Sequence, residues 1–153
     1  MTQPYRQSSA GPLVTKLHHI LIATDFSAAA SDAAVEMGAS VARDASASVQ
    51  LLCVLEALMY VPAGMAALVE RDPDLHPEAT RRMASTIRRI HELEVENVSS
   101  SIEFGIAADV LVRYANSAKF DLLILGRAGR GSTSAFVIPR VSIPVMVVPS
   151  VRT

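Results

Sequence analysis

The chain has 153 residues, of which 50% are hydrophobic and 5% aromatic, and its 14 basic and 15 acidic side chains give a net charge of −1. A chain of this length favours one compact domain with a core of its own, without help from metals or disulfides. The near-neutral charge argues against general binding to the phosphate backbone of nucleic acids. The many aliphatic side chains exclude disorder over most of the chain.

The cysteine content and the apolar stretches indicate the cellular compartment of the protein. Cys53 cannot form an internal disulfide, and its place in the apolar run VQLLCVLE predicts a buried small hydrophobic side chain rather than a reactive thiol. Residues 1–16 are polar and predict a mobile segment, without the apolar core of a secretory signal. Polar residues and a proline interrupt the longest apolar stretch, residues 49–69, so we expect no membrane span. Together these features predict a cytoplasmic protein.

Five short aliphatic runs predict β-strands: HILIAT (19–24), VQLLCVL (49–55), SIEF (101–104), DLLILG (121–126) and PVMVV (144–148). Three of them, around Ile20, Leu51 and Leu123, lack polar alternation, which is typical of central strands covered on both faces. The run at 101–104 alternates apolar and polar residues and predicts a more exposed edge strand.

Apolar residues at helical spacing fill the intervals between these runs. The three stripes are Ala30, Ala33, Met37 and Val41, then Met83, Ile87, Ile90 and Leu93 within residues 78–98, then Ala107, Leu111, Tyr114 and Ala118. The prolines and glycines of residues 57–77 predict a long connection instead, with one helical turn near 65–70. Strands that alternate with helices call for parallel strands and right-handed crossovers, so we predict a single open α/β sandwich.

The first candidate site residue follows the first strand, which ends in Thr24-Asp25-Phe26-Ser27. In an open parallel sheet, ligands bind beyond the carboxyl ends of the strands, where the connections diverge to opposite faces. Asp25 at such an end has two interpretations. Its carboxylate caps the first helix, helped by Ser27, or it accepts a hydrogen bond from a ligand hydroxyl or amine.

The second candidate follows the fourth strand, in the sequence GRAGRGST of residues 126–133. Its glycine and hydroxyl residues are Gly126, Gly129, Gly131, Ser132 and Thr133. The glycines allow close approach of the backbone to a ligand, and the hydroxyls stand at a helix start, which favours an anion. Arg127 and Arg130 add positive charge, but no lysine completes a Walker A loop. The alternative interpretation is a glycine-rich turn with Ser132 as a helix N-cap.

No catalytic set emerges from the remaining polar residues. The four histidines have no spacing that suits zinc, and the serines lack a G-x-S-x-G elbow. The arginines and glutamates of residues 81–96 are typical of a solvated helix face. Neither a lysine nor a pair of carboxylates accompanies the glycines, so an enzyme of phosphoryl transfer is the least supported class. We predict no catalytic residues and no metal site.

The segments ILIATDFS, LLCVLE, GIAADVLVRYANSAKFDLLILGRAG, the following GS and IPVMVVP, in this order, resemble the universal stress protein (UspA) family over residues 17–149. The resemblance implies a universal stress protein domain at residues 17–153. It also implies a three-layer, Rossmann-like α/β sandwich with a five-stranded parallel sheet of order 3-2-1-4-5, usually in a homodimer.

One branch of this family binds ATP through the motif G-x2-G-x9-G-[S/T], so the resemblance implies an ATP site, with or without Mg²⁺. The matching positions here are Asp25, Val54, Gly126, Gly129, Gly131 and Ser132, with Thr24 and Thr133 adjoining them. The chain departs from the motif because Arg130 alone stands where the pattern has nine residues, and because Pro139 falls inside the last predicted helix. We expect a stress-response module that binds ATP as a regulatory ligand, with slow hydrolysis at most. The shortened loop supports an alternative, a nucleotide-free homodimeric scaffold of the same fold.

The final predicted strand carries four consecutive aliphatic residues, Val145, Met146, Val147 and Val148. An uncovered hydrophobic strand at a sheet edge promotes aggregation unless it pairs with a partner. We therefore predict a homodimer through this strand, with the two-fold arrangement most common in homodimers, as the resemblance also implies.

Overall fold

The computed structural model describes residues 16–26, 29–55, 77–117, 119–127 and 133–150. The strands are β1 (His19–Thr24), β2 (Ser48–Leu55), β3 (Val98–Phe104), β4 (Leu122–Arg127) and β5 (Val145–Pro149). The helices are α1 (Ala29–Ala45), α2 (Pro77–Glu92), α3 (Ala107–Ala115) and α4 (Thr133–Val137), and α4 continues as a 3-10 turn (Ile138–Arg140). The predicted mobile segment, apart from Lys16, and the predicted long connection, apart from Pro77, lie outside the described residues.

The strands of the described chain form one parallel sheet with the order β3-β2-β1-β4-β5. This confirms the predicted fold, and β3 and β5 are the two edges. The chain builds outward from β1 to β3 in one direction and then returns to add β4 on the other side of β1. The switch point of the topology is therefore the seam between β1 and β4, the place where ligands bind in such sheets.

Alternate residues of the central strands supply two separate cores. Ile22 and Leu51 point to the face covered by α1 and α2, whereas Leu21, Leu52 and Leu123 point to the face covered by α3 and α4. All five of these side chains have 0% exposure. Burial on both faces explains why these strands read as unbroken apolar runs, and it produces the three layers.

The predicted apolar stripe of α1 faces the core only in part, since Ala33 and Val41 are partly buried against it. Met37 is 44% exposed, and the side chain of Ala30 lies outside the described residues. The buried positions of α1 are instead Ser31, Ala34, Val35, Gly38, Ala39 and Ala42. The physical reason is the close approach at Gly38, where an added Cβ would lie 2.4 Å from Ile22 Cδ1. In a helix rich in alanine, the buried face is thus determined by the position at which the strand can approach most closely, and not by the hydrophobicity of one stripe.

Two further boundaries depart from the prediction. The strand predicted at 101–104 begins three residues earlier, at Val98, because its edge position tolerates the polar serines that precede it. The last predicted helix has only five α-helical residues, and Pro139 stands in the first turn of the 3-10 segment that follows it. A proline interrupts an α-helix by removing an N–H donor, as predicted for this residue. No helix within the described ranges is long and apolar enough to cross a membrane.

Candidate functional site

A pocket opens at the carboxyl ends of β1, β2 and β4, at the switch point between β1 and β4. Its lining residues are Ala23, Thr24, Asp25, Ser31, Leu52, Val54, Ala107, Leu111, Leu125, Gly126 and Thr133. Five of the eight predicted site residues are among them. The other three, Gly129, Gly131 and Ser132, lie in residues 128–132, outside the described part of the chain. The structure thus brings together residues 24–25, 54, 126 and 133, which are far apart in the sequence.

Asp25 lies at the exposed mouth of the pocket, where its carboxylate is oriented by the first helix. Ser31 donates a hydrogen bond from Oγ to Asp25 Oδ1 at 2.8 Å, and Ser31 is 8% exposed. A buried hydroxyl that contacts a carboxylate at the edge of a pocket restricts the orientations of that carboxylate. Sequence reasoning missed Ser31. The available signal was its hydroxyl in the first turn of α1, six residues after Asp25. Ser27 lies outside the described residues, so its predicted capping role stays a prediction.

The turn after β1 has an unusual backbone. Phe26 has φ 61°, in the left-handed region that residues other than glycine adopt infrequently. Its N–H donates to Thr24 Oγ1 at 3.1 Å, and Thr24 is 7% exposed. The Thr24 hydroxyl therefore shapes the turn that presents Asp25, as hydroxyls do in such local turns.

Apolar side chains form the wall of the pocket. They come from both halves of the sheet and from α3: Ala23, Leu52, Val54, Ala107, Leu111 and Leu125. An apolar wall with a few polar groups at one end is the usual arrangement of a small-molecule site, in which the wall accepts a ring system and the polar groups fix its orientation. The sequence identified Ala107 and Leu111 only as a helix stripe, because periodicity does not distinguish a core side chain from a pocket wall.

Cys53 lies next to this site, on the α1 face of β2, and is fully buried. Burial, together with the smaller effect of the negative charge of Asp25, raises the pKa of the Cys53 thiol to about 11. The thiol is therefore protonated at neutral pH and behaves as a small hydrophobic side chain, which confirms the prediction.

A cationic side chain also reaches the turn after β1, from α2. Arg82 donates from Nη1 to the carbonyl oxygen of Phe26 at 2.6 Å and from Nε to Glu78 Oε1 at 2.8 Å. Arg81 donates from Nη1 to the other carboxylate oxygen of Glu78 at 3.0 Å. The hydrogen bond from Arg82, followed by the charge of Arg81, lowers the pKa of Glu78. Sequence reasoning placed both arginines on a solvated helix face and had no signal for the contact with Phe26.

Charged groups elsewhere in the described chain do not assemble into a metal centre. Among residues 16–26, 29–55, 77–117, 119–127 and 133–150, no group of three or more His, Cys, Asp or Glu side chains could hold a metal ion. Arg127 lies exposed at the end of β4, and Arg130 falls outside the described residues.

The fold is that of an α/β protein with a pocket at the carboxyl edge of a parallel sheet, at the switch point of its topology. The universal stress protein family model matches residues 16–149, and the chain belongs to that family. A comparison with curated protein sequences found no significant match.

Solved structures share this fold at low sequence identity. The universal stress protein UspA from Lactobacillus plantarum is 22% identical with a TM-score of 0.72, and the match covers 88% of this chain and 99% of that one. A family member from Arabidopsis thaliana with AMP bound is 19% identical with a TM-score of 0.64, covering 88% of this chain and 92% of that one. The universal stress protein from Archaeoglobus fulgidus in complex with dAMP is 16% identical with a TM-score of 0.65, covering 88% and 99%. Identities in this range establish the shared fold.

Proposed function

We propose that this universal stress protein binds an adenine nucleotide, ATP or a shorter analogue, as a regulatory ligand. The observation that carries the proposal is the convergence of Thr24, Asp25, Val54, Gly126 and Thr133 on one pocket at the switch point of the sheet. The AMP and dAMP complexes of two relatives with the same fold support it.

The chemistry of the pocket matches that ligand class. The apolar wall that includes Leu52, Val54 and Leu111 accepts a purine ring. The Asp25 carboxylate, oriented by Ser31, accepts hydrogen bonds from an exocyclic amine or from ribose hydroxyls. Gly126, without a side chain, leaves room for the ligand at the end of β4.

The length of the glycine loop bears on the number of phosphates. The chain has one residue, Arg130, between Gly129 and Gly131, where the ATP-binding pattern has nine. A shorter loop offers fewer backbone N–H groups to a phosphate chain. We therefore expect AMP and cyclic AMP to bind at least as tightly as ATP, and Mg²⁺ to arrive with the triphosphate rather than on protein carboxylates.

Calorimetric titration of the purified full chain tests the proposal. AMP, cyclic AMP and ATP, the last with and without Mg²⁺, are each titrated to millimolar concentration, with GMP as the specificity control. Saturable binding of an adenine nucleotide with weaker binding of GMP is the expected result. No heat from any adenine nucleotide at millimolar concentration would contradict the proposal.

A homodimeric scaffold is the second candidate, and the partly buried aliphatic side chains of the edge strand β5 favour it. Phe136 and Ile138 are 62% and 50% exposed, and Val145, Met146 and Val147 on the edge strand are only partly buried. An apolar strand at a sheet edge, on a protein that also exposes large hydrophobic side chains, is typical of a surface that pairs with a partner. We propose that two copies join along β5, in the cytoplasm, whether or not a nucleotide is bound.

A further inference from the structure

The turn between β1 and α1 determines where Asp25 points. Asp25 follows the last residue of β1 and is itself followed by Phe26, whose left-handed backbone reverses the chain direction. For a phenylalanine this conformation is uncommon, so it requires contacts that hold it. The Thr24 hydroxyl supplies one such contact, on the N–H of Phe26.

Arg82 supplies a second contact, on the opposite end of the same residue. Its guanidinium donates from Nη1 to the Phe26 carbonyl at 2.6 Å. Thr24 and Arg82 thus fix the N–H and the C=O of Phe26, the two polar groups whose positions define its backbone conformation. The second contact comes from α2, more than fifty residues away along the chain.

A second hydrogen bond, to Glu78, fixes the orientation of the Arg82 guanidinium. Arg82 Nε donates to Glu78 Oε1 at 2.8 Å, one helical turn earlier in α2. The planar fork of arginine can bond a carboxylate through one nitrogen and a carbonyl through another at the same time, which the single ammonium group of lysine does not reproduce in this geometry. The arrangement at this position is therefore specific to arginine.

We propose that Arg82 is a positioning residue for nucleotide binding, which holds the turn after β1 so that Asp25 is presented to the pocket. The inference rests on the proposed function, because its effect on affinity requires a nucleotide site at Asp25. Arg82 acts through the backbone of Phe26 and not through the ligand. Its loss leaves the pocket walls unchanged and lowers the population of the binding-competent turn.

Arg81 provides the matched control. Both arginines form a salt bridge with Glu78, through different oxygens. The side chain of Arg81 is 73% exposed and that of Arg82 is 51% exposed. Arg82→Ala is expected to weaken AMP binding about tenfold. The apparent Kd rises by this factor if only about a tenth of the molecules keep the turn in its binding-competent conformation. Arg81→Ala is expected to bind AMP within about twofold of the wild type. Arg82→Lys, with one donor group for two acceptors, should fall between them.

A second readout separates this role from a general loss of structure. The backbone carbon chemical shifts of Phe26, measured by NMR, report its left-handed conformation without any ligand. They should move toward extended or coil values in Arg82→Ala and stay in place in Arg81→Ala, while both variants melt at similar temperatures.

The outcomes distinguish this inference from the proposed function. If the wild type binds no adenine nucleotide, the proposed function fails, and the Phe26 shifts still decide whether Arg82 holds the turn. If the wild type binds AMP and Arg82→Ala binds it as tightly as Arg81→Ala does, Arg82 is not a positioning residue. Unchanged Phe26 shifts in Arg82→Ala would overturn the inference as well.

Discussion

At the scale of single residues, the pocket pairs an exposed carboxylate with a buried hydroxyl that donates to it. Asp25 is at the surface, while its partner Ser31 is almost completely buried. This division of roles keeps the charge available to a ligand while its orientation is set from inside the protein. The sequence identified Asp25 from its place at a strand end, but Ser31 is an ordinary helix residue until the fold brings it to that carboxylate.

Asp25→Asn is expected to weaken adenine-nucleotide binding by about tenfold or more, since hydrogen bonds to a charged group contribute about 1.5–3 kcal/mol. The substitution keeps the size of the side chain and removes its charge. Asp32→Asn, a substitution of an exposed carboxylate of α1 that does not line the pocket, is the matched control and should bind as the wild type does. Calorimetry measures both, and equal affinity of the two variants would place the ligand elsewhere.

The Cys53 thiol predicts a pH dependence of stability. Its pKa is about 11 in the folded chain against an ordinary value of 9.0. Between these two values the unfolded chain releases the proton and the folded chain keeps it, so ionisation favours unfolding as the pH rises. This group should lower the free energy of unfolding by about 1 kcal/mol from pH 8 to pH 10.

Urea denaturation at both pH values measures that change. Cys53→Ala is the control, which lowers stability at both pH values by leaving a small cavity but shows a shallower decrease with pH. Equal decreases in the two proteins would mean that the folded thiol ionises normally.

At the scale of elements, the close approach of α1 to β1 depends on Gly38, which has no side chain. The sequence correctly placed the helix and its exposed charged positions, because alternating strands and helices and polar residues at helical spacing are strong signals. It placed the apolar stripe at the border of the buried face and not at its centre, because alanines occur on several faces of α1 and their small size makes the stripes similar. That choice depends on Gly38 against Ile22, a contact between elements that no local pattern encodes.

Gly38→Ala is expected to lower the free energy of unfolding by about 1 kcal/mol or more. The added Cβ would lie 2.4 Å from Ile22 Cδ1 and 2.8 Å from Ile22 Cγ1, and overpacking of a closed core costs about 1–3 kcal/mol. Alanine's better helix propensity offsets about 1 kcal/mol of this cost, which leaves a net loss of about 1 kcal/mol at the middle of the range. Denaturant unfolding is the measurement.

Ile22→Val removes the methyl group nearest to the added Cβ and tests the stated cause. In the double variant the loss should be smaller than the sum of the two single losses, because the two sites are in contact. Simple additivity would show that the clash is not the reason for any destabilisation by Gly38→Ala.

At the scale of the whole molecule, the outer edge of β5 is the surface of the proposed homodimer. The Leu123 N–H donates to the Pro144 carbonyl at 3.0 Å, and Leu123 stands opposite Val145 in the parallel register. In a parallel ladder this directs the amide of Met146 toward β4 and leaves the amides of Val145 and Val147 on the outer edge. In the proposed homodimer, this row would form the ladder to the second copy.

Val147→Pro is therefore expected to give a monomer with little change in melting temperature. The proline removes an outer-edge N–H while the bonds between β4 and β5 persist. Val147→Thr keeps the N–H and the branched shape and should remain dimeric. Light scattering at micromolar concentration distinguishes the two states, and a monomeric wild type would contradict the proposed dimer.

The pocket lies where the ladder between β1 and β4 is shorter than the ladder between β1 and β2. β1 is joined to β2 by six register pairs, from His19 to Thr24, but to β4 by four, from Ile20 to Ala23. The ladder to β4 thus ends before the carboxyl edge, where residues from both halves of the sheet line the pocket. A ligand in the proposed site would contact residues of both the β3-β2-β1 half and the β4-β5 half, at the end where their shared ladder is one pair shorter. Occupancy of the pocket would then link the half that carries the outer edge of β5 to the rest of the sheet.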